Sequence, residues 1–314
     1  MDRNLALEFV RVTEAGAIAA AKWMGRGDAK AADQAAVDEM RDRFNYIDFL
    51  GEIVIGEGAK DEAAELYIGE KLGTGKGPEI DIAVDPLECT DSVASGKPNA
   101  ISVIATGAKG SLFHAPDTYM HKIACGPAAK GVIDLDASVA ENIGRVAEKL
   151  KKDISEMVCV SLKREYNAET IAEIRRVGAR VKLIDDGDVA GAIATCLPDS
   201  GIDLLIQKGA SAEGVLAAVA IKCLGGDFQG RLAPKNDEHL ARVKAMGITD
   251  VNKKLLLEDL AKGNDLTFTA TGVIDGPLLK GVRYTADYCI THSVVMRVKS
   301  GTVRWLETRH KLKD

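Results

Sequence analysis

The later part of the chain alternates helix-like and strand-like segments, and this alternation limits the fold more than any other feature of the sequence. Its periodicity predicts helices that are separated by short apolar runs typical of β-strands. The predicted helices are 137–151, 168–177, 189–196 and 212–224, and the predicted strands are 157–162, 181–185 and 203–206. Such a rhythm predicts an α/β fold with a partly parallel, helix-covered sheet, in which functional residues gather at the carboxyl ends of the strands.

The earlier part of the chain and its C-terminal end have a different rhythm. Two helices are predicted there, followed by strands bounded by Gly, Pro or Asp, with strands again near the end of the chain. The segments are helices 4–24 and 29–44, strands 52–55, 80–84, 100–106, 265–273 and 288–298, a polar loop at 225–237 and a short helix at 239–246. With 314 residues, two lobes are expected, one made of 1–131 plus 286–314 and the other of 132–285.

Composition excludes several classes of function. A net charge of −6 and an aromatic content of 4% disfavour nucleic-acid binding. No stretch approaches the ~20 apolar residues of a membrane helix, and the charged N-terminal segment predicts an amphipathic helix rather than a signal peptide, so a cytoplasmic protein is expected. The cysteines and histidines lack ligand spacing. Any metal is therefore expected on carboxylates, which select hard cations such as Mg²⁺ or Mn²⁺.

The most specific motif is the run from Asp85 to Thr90, directly after the apolar segment 80–84. In a helical turn, the spacing of three residues would put Asp85 and Glu88 on one side, where a cation would relieve their repulsion. Thr90 would offer a hydroxyl and a backbone N–H near the start of a helix, a favourable place for a phosphate. The alternative is a cluster of capping residues on a solvated turn.

Further acidic residues stand at comparable positions. Each also has an ordinary structural explanation: a turn acid for Glu57, a solvated helix face for Asp33, and an acid that complements the helix dipole for Glu213. In the run 185–188, Asp188 is equally well explained as a helix N-cap and as a functional residue.

Taken together, and in this order and spacing, these segments resemble the class II fructose-1,6-bisphosphatases of the lithium-sensitive, metal-dependent sugar-phosphatase superfamily. The resemblance covers nearly the whole chain. It rests on the stretches 21–27, 32–37, 53–58, 67–70, 80–86, 115–120, 186–189, 281–284, 291–297 and 300–304.

The resemblance implies a layered αβαβα sandwich with two lobes, the first for metal and phosphate and the second for the sugar. It implies hydrolysis of the 1-phosphate of fructose 1,6-bisphosphate, as in gluconeogenesis, by a homo-oligomer that uses Mg²⁺ or Mn²⁺. The implied metal ligands are Asp33, Glu57, Asp85, Glu88 and Glu213, and the implied catalytic residues are Asp85, Glu88 and Thr90. The implied substrate-binding residues are Glu88, Cys89, Thr90, Tyr119, Arg164, Asp186, Gly187, Asp188 and Ala210.

The chain departs from the family pattern at three places. Cys89 stands where the family usually has Gly, which suggests a narrower pocket or oxidation-sensitive activity. The runs 163–167 and 207–212 also differ, and Tyr166 replaces a cation that Lys163 or Lys208 could supply instead. These departures leave open a specificity for sedoheptulose 1,7-bisphosphate or another sugar or inositol phosphate, or a non-catalytic sugar-phosphate-binding protein.

Other phosphatase and phosphate-binding motifs fit less well. A mechanism through an aspartyl-phosphate would use Asp186 and Asp188, but Ala190 stands where Thr or Val is usual. No cysteine has the Cys-x₅-Arg spacing of cysteine phosphatases, and the Gly-rich run 73–77 has the wrong spacing for a P-loop.

Overall fold

The computed structural model describes residues 5–58 and 65–312. The chain divides into a first unit, Met1–Leu112 with Gly263–Asp314, and a second unit, Phe113–Lys262. Both boundaries lie earlier in the chain than the sequence suggests. The reason is that strand 119–125 joins the sheet of the second unit, whereas strand 266–274 pairs inside the sheet of the first.

The helices in the described part of the chain are numbered in chain order. They are α1 (Leu5–Ala21), α2 (Ala29–Phe44), α3 (Thr90–Ser95), α4 (Val139–Leu150), α5 (Ala168–Val177), α6 (Asp188–Ala194), α7 (Ser211–Leu224), α8 (Asp237–Ala245) and α9 (Leu257–Leu260). No helix in the described part is both long and apolar enough to span a membrane.

The strands are numbered in the same way. They are β1 (Leu50–Ile55), β2 (Lys71–Leu72), β3 (Glu79–Glu88), β4 (Ala100–Ala108), β5 (Tyr119–Cys125), β6 (Val158–Leu162), β7 (Arg180–Ile184), β8 (Leu204–Ala210), β9 (Asp227–Leu232), β10 (Leu255–Leu256), β11 (Leu266–Ile274), β12 (Arg283–Tyr284), β13 (Tyr288–Arg297) and β14 (Thr302–Lys311).

The first unit is built on an eight-stranded mixed sheet with the order β12-β13-β11-β4-β3-β1-β2, and β14 pairs with β13. Helices α1 and α2 pack together, and their apolar faces bury Phe9 and Phe44 against Phe49 in edge-to-face contacts. The side chain of Asp28 caps α2 by accepting a hydrogen bond of 2.9 Å from the N–H of Ala31. Because β1 and β3 are parallel, their carboxyl ends lie at the same edge of this sheet.

The second unit is built on a six-stranded mixed sheet with the order β10-β9-β5-β8-β6-β7. Strand β6 is parallel to both β7 and β8, whereas β5 is antiparallel to β8 and β9. Helix α4 begins with a capping box between Ser138 and Glu141 and buries Ile143 and Val146 in the apolar core of this unit. The segments after β6, β7 and β8 therefore emerge at one edge, where the amino end of β5 also lies.

The mixed α/β class and the partly parallel sheet are confirmed, and most predicted helices and strands are present. One local prediction is wrong: the segment predicted as a polar loop at 225–237 contains strand β9. Its side chains alternate across the sheet, and Phe228 is fully buried, so tertiary packing overrides the local glycines. The cysteines form no disulfide, and all but Cys196 are buried.

Candidate functional site

The first unit brings two of the predicted metal ligands into contact. Glu57 follows the carboxyl end of β1, and Asp33 lies on α2. Burial raises the pKa of Glu57 to about 7, and the charge of Asp33 and a hydrogen bond to it add to this shift. Burial also raises the pKa of Asp33, whereas the hydrogen bond from Glu57 opposes the shift. The two carboxylates therefore share a proton in the metal-free protein, so Asp33 is not a simple solvated residue of the helix surface.

Asp85 and Glu88 are aligned by a bulge in β3. Asp85 pairs with Val103 of β4 and Glu88 pairs with Ile101, so one strand advances by three residues while the other advances by two. Since side chains alternate along a strand, the extra residue restores both carboxylates to one face. The sequence predicted the shared side correctly but attributed it to a helical turn. The N–H of Leu87 donates a hydrogen bond of 3.1 Å to Asp85 Oδ1 and fixes its orientation.

Cys89 makes the turn from β3 into α3. Its backbone has the left-handed conformation, with φ of 76° and ψ of 48°, which residues other than glycine rarely adopt. Its side chain is buried and packs in an apolar cluster with Leu87 and Val93. Thr90 is the first residue of α3 and is half-buried. Glycine adopts this conformation without strain, so the backbone at position 89 favours glycine over cysteine.

The carboxylates of the first unit have the chemistry that a hard cation prefers, but they do not converge into a complete metal site in the described part of the chain. Within residues 5–58 and 65–312, no three acidic, histidine or cysteine side chains converge closely enough to hold a metal ion. The residues nevertheless fit a divalent cation, because the proton shared by Asp33 and Glu57 stands in for a positive charge between two oxygen ligands.

The second unit places its predicted site residues along one edge of its sheet. Arg164 follows β6, Asp186 to Asp188 follow β7, and Glu213 lies in the first turn of α7, just after β8. Tyr119 begins β5 and pairs with Ala210, the last residue of β8. Arg164, Asp186 to Asp188 and Glu213 thus follow the carboxyl ends of strands as predicted, whereas Tyr119 lies at the amino end of β5. Their functional roles stay a prediction.

A buried lysine that sequence reasoning missed lies at the centre of this group. Lys122 of β5 is 2% exposed, and its ammonium group forms a short ion pair with Asp188 Oδ2 and donates a hydrogen bond of 2.7 Å to the carbonyl of Ala210. Gln207 donates to the same Asp188 oxygen at 3.3 Å. The only sequence signal was a lysine beside the apolar run from Ile123, which resembles an ordinary surface residue. Asp188 is not a helix N-cap, since Gly187 occupies that position of α6.

Two buried oxygens in this group have no protein partner within the described residues: Asp188 Oδ1 and Glu213 Oε2. Burial raises the pKa of Glu213 to about 7, the charge of Asp188 raises it further, and Lys122 opposes the shift. A buried carboxylate oxygen without a donor is costly unless a ligand or cation satisfies it. This edge is therefore suited to bind a polyhydroxylated ligand or a cation.

Gly209 is required by the closeness of these groups. A Cβ atom at this position would lie 2.4 Å from Asp188 Oδ2 and 3.1 Å from the Nζ of Lys122. Any larger residue would separate the ion pair. Gly187, with φ of 84°, similarly allows the tight turn that carries Asp186 and Asp188.

The outer end of this edge is aromatic and cationic. The rings of Tyr119 and Tyr166 are 5.1 Å apart, and Tyr119 also stacks on His239 at 6.3 Å. Lys208 lies over both tyrosines, while Arg164 is exposed and donates only a long contact of 3.4 Å to a backbone carbonyl in the described part of the chain.

Comparison with known proteins indicates the family of this chain. The family model described as "Bacterial fructose-1,6-bisphosphatase, glpX-encoded" matches residues 3–310. The chain is 46% identical to the class 2 fructose-1,6-bisphosphatase of Haemophilus influenzae over 327 aligned positions, covering 100% of this chain and 98% of the relative. It is also 46% identical to the fructose-1,6-bisphosphatase 1 class 2 of Escherichia coli K12 over 325 positions, covering 99% and 96%.

The two mixed sheets and the acidic residues at the ends of their strands place the chain in the class of α/β proteins with a candidate cation-binding site. Within that class, this chain belongs to the bacterial, glpX-encoded fructose-1,6-bisphosphatase family. The family resemblance seen in the sequence is confirmed. The assignment of individual ligands, including Glu213 as a partner of the four acids in the first unit, stays a prediction.

Proposed function

We propose that this protein hydrolyses the 1-phosphate of fructose 1,6-bisphosphate and releases fructose 6-phosphate and phosphate. The observation that carries the proposal is the close pair of Asp33 and Glu57, beside the strand whose bulge aligns Asp85 and Glu88. An oxygen-only set of this kind suits a hard divalent cation and phosphate chemistry. The names of the relatives supply the substrate class.

The residues of the first unit have distinct roles in this proposal. Asp33, Glu57, Asp85 and Glu88 would hold Mg²⁺ or Mn²⁺. Glu213, the predicted metal ligand of the second unit, is a further carboxylate suited to a divalent cation. A bound divalent cation lowers the pKa of water and stabilises the charge on a departing oxygen. Thr90 orients the attacking water from the first turn of α3, which the rigid turn at Cys89 keeps fixed relative to β3.

The residues of the second unit recognise the sugar. Asp188 is held by Lys122, so its free Oδ1 is fixed and ready to accept a hydrogen bond from a sugar hydroxyl. Asp186 and Gly187 form the adjacent turn, Ala210 ends β8, and Tyr119 lies beside it. Arg164 carries a positive charge at the exposed end of the same edge.

A phosphate-release assay tests the function. Fructose 1,6-bisphosphate, sedoheptulose 1,7-bisphosphate, an inositol monophosphate and phosphoadenosine phosphate are compared with Mg²⁺, with Mn²⁺ and with EDTA. We expect metal-dependent release, fastest from fructose 1,6-bisphosphate. A higher kcat/KM for another substrate would reassign the specificity, and no release with either metal would leave a non-catalytic sugar-phosphate-binding protein.

The family resemblance also supports a homo-oligomer in the cytoplasm. Light scattering coupled to gel filtration tests the first point, since a species at the monomer mass at micromolar concentration would contradict it. Fractionation of cells that express the tagged chain tests the second.

A further inference from the structure

Lys208 has an unusual environment for a lysine on the sugar-binding edge. Its Nζ lies 4.9 Å from the ring centroid of Tyr166 and 5.6 Å from that of Tyr119, within the range of cation–π contacts. It pairs across the sheet with His121 of β5, so it lies on the face opposite to the neighbouring pair Gln207 and Lys122. Two aromatic rings therefore hold its charge at the outer end of the edge.

The backbone around Lys208 is fixed by a buried asparagine. Asn167 is 1% exposed; its Oδ1 accepts from the N–H of Lys208 at 2.7 Å, and its Nδ2 donates to the carbonyl of Lys208 at 2.9 Å. The same Nδ2 donates to the carbonyl of Leu162 at 3.2 Å. Because Asn167 directly follows Tyr166, these bonds keep the tyrosine ring in place against the lysine. The fold thus fixes the backbone of Lys208, and the contacts with the two tyrosine rings hold its ammonium group.

The positive charges of Lys208 and Arg164, at the outer end of the edge, have no carboxylate partner among the described residues. Within the described ranges, neither Lys208 nor Arg164 forms an ion pair with an acidic side chain. Burial first and then Tyr119 raise the pKa of Tyr166, Arg164 lowers it, and Asp188 and Glu213 raise it further. Tyr166 therefore lies close enough to both Arg164 and the acidic group to respond to their charges. Lys208 and Arg164 therefore lie beside tyrosine rings without an acidic partner among the described residues, an arrangement that favours an anionic ligand.

We propose that Lys208, held over Tyr119 and Tyr166 and assisted by Arg164, binds the phosphate group of the sugar bisphosphate that is not hydrolysed. The proposal deepens the proposed function and rests on it. It also decides between the two lysines left open by the sequence, because Lys163 is exposed and has no comparable aromatic support among the described residues. Lys208 is thereby a specificity-determining residue that favours substrates with a second phosphate.

The test compares K208M with K208R and with the matched control K163M. Losing one charge-assisted hydrogen bond predicts a rise of about tenfold or more in KM for fructose 1,6-bisphosphate and in the inhibition constant of fructose 6-phosphate, which retains the second phosphate. Hydrolysis of p-nitrophenyl phosphate, which has no second phosphate, is expected to stay at the wild-type rate. K208R should keep most of the affinity, and K163M all of it.

Several outcomes would overturn the proposal. The proposal fails if K208M leaves KM and the inhibition constant unchanged, or if K163M raises them as much as K208M does. It also fails if K208M loses p-nitrophenyl phosphate hydrolysis to the same extent, because that loss indicates general structural damage. Calorimetric titration of fructose 6-phosphate into wild type and K208M separates this proposal from the proposed function. Wild-type binding that K208M loses would support Lys208 even if no bisphosphate is hydrolysed, whereas equal binding by both would contradict it even in an active enzyme.

Discussion

Lys122 and Asp188 form an ion pair in which both side chains are more than nine-tenths buried, at the edge of the second sheet. The pair also holds the end of β8, since the same ammonium donates to the carbonyl of Ala210. Burying two charges costs free energy that only their mutual contact and added hydrogen bonds offset. The pair therefore adds little net stability to the fold, and its main effect is to fix the position of the Asp188 side chain.

We expect K122M to lose on the order of 3–5 kcal/mol of unfolding free energy, because Asp188 would remain as a buried charge without a partner. Urea denaturation in EDTA measures this loss. The control is K109M, since Lys109 forms an exposed pair with Glu79 and its loss should leave the denaturation midpoint unchanged. The double variant K122M/D188L, which removes both charges, should recover part of the lost stability. If it is as unstable as K122M, lost packing rather than the unpaired charge causes the destabilisation.

Stability of the metal-free protein should fall as pH rises from about 4.5 to about 7. In the unfolded chain Glu57 loses its proton near its ordinary pKa, whereas in the folded chain burial and Asp33 hold the pKa near 7. The folded state therefore binds more protons in this window, and deprotonation there costs on the order of 2 kcal/mol. Denaturation in EDTA at pH 5 and pH 8 measures the difference.

The variant E57Q should have a flatter pH dependence than wild type, and E39Q, at an exposed position of α2, should behave like wild type. Addition of Mn²⁺ at pH 8 should stabilise wild type and E39Q more than E57Q. A stability profile that is equally steep in E57Q would contradict the shared-proton interpretation.

The sequence predicted the strand-end positions of the acids well because those positions follow from local periodicity. Helix 168–177, for example, was predicted with the bounds it has. It did not predict the burial of Lys122, because that burial depends on pairing between β5 and β8, far apart in the chain. For the same reason β9 was missed, since its local sequence is rich in glycine and its strand conformation depends on pairing with β5 and β10.

Removing one charge from the aligned acids of β3 should abolish turnover without unfolding the protein. In D85N or E88Q we expect loss of metal-dependent phosphate release by at least about a hundredfold, because each amide weakens cation binding and charge stabilisation. D91N is the matched control, since Asp91 is exposed in the first turn of α3 and should retain near-wild-type activity. Turnover close to wild type in either acid variant, with fold confirmed by circular dichroism, would remove these residues from the site.

At Cys89 we expect the glycine variant to be more stable than the alanine variant, which reverses the usual order of stability. At an ordinary site alanine is the more stabilising residue, but at φ of 76° any Cβ is strained by about 1–2 kcal/mol. C89A keeps that strain and loses the buried sulfur contact with Leu87 and Val93, whereas C89G loses the contact and relieves the strain. We therefore expect C89G to be more stable than C89A by about 1 kcal/mol in urea denaturation.

The same variants test whether Cys89 makes the activity sensitive to oxidation. Its side chain is buried in apolar surroundings, so peroxide should inactivate wild type slowly, and neither C89G nor C89A should alter the inactivation rate by more than about twofold. Marked protection in both variants would show instead that the thiol is accessible from the site and would support the hypothesis that oxidation of Cys89 inactivates the protein.

The stability comparison has its own contradicting outcome. If C89A proves more stable than C89G, the left-handed turn between β3 and α3 is not the constraint that places Thr90.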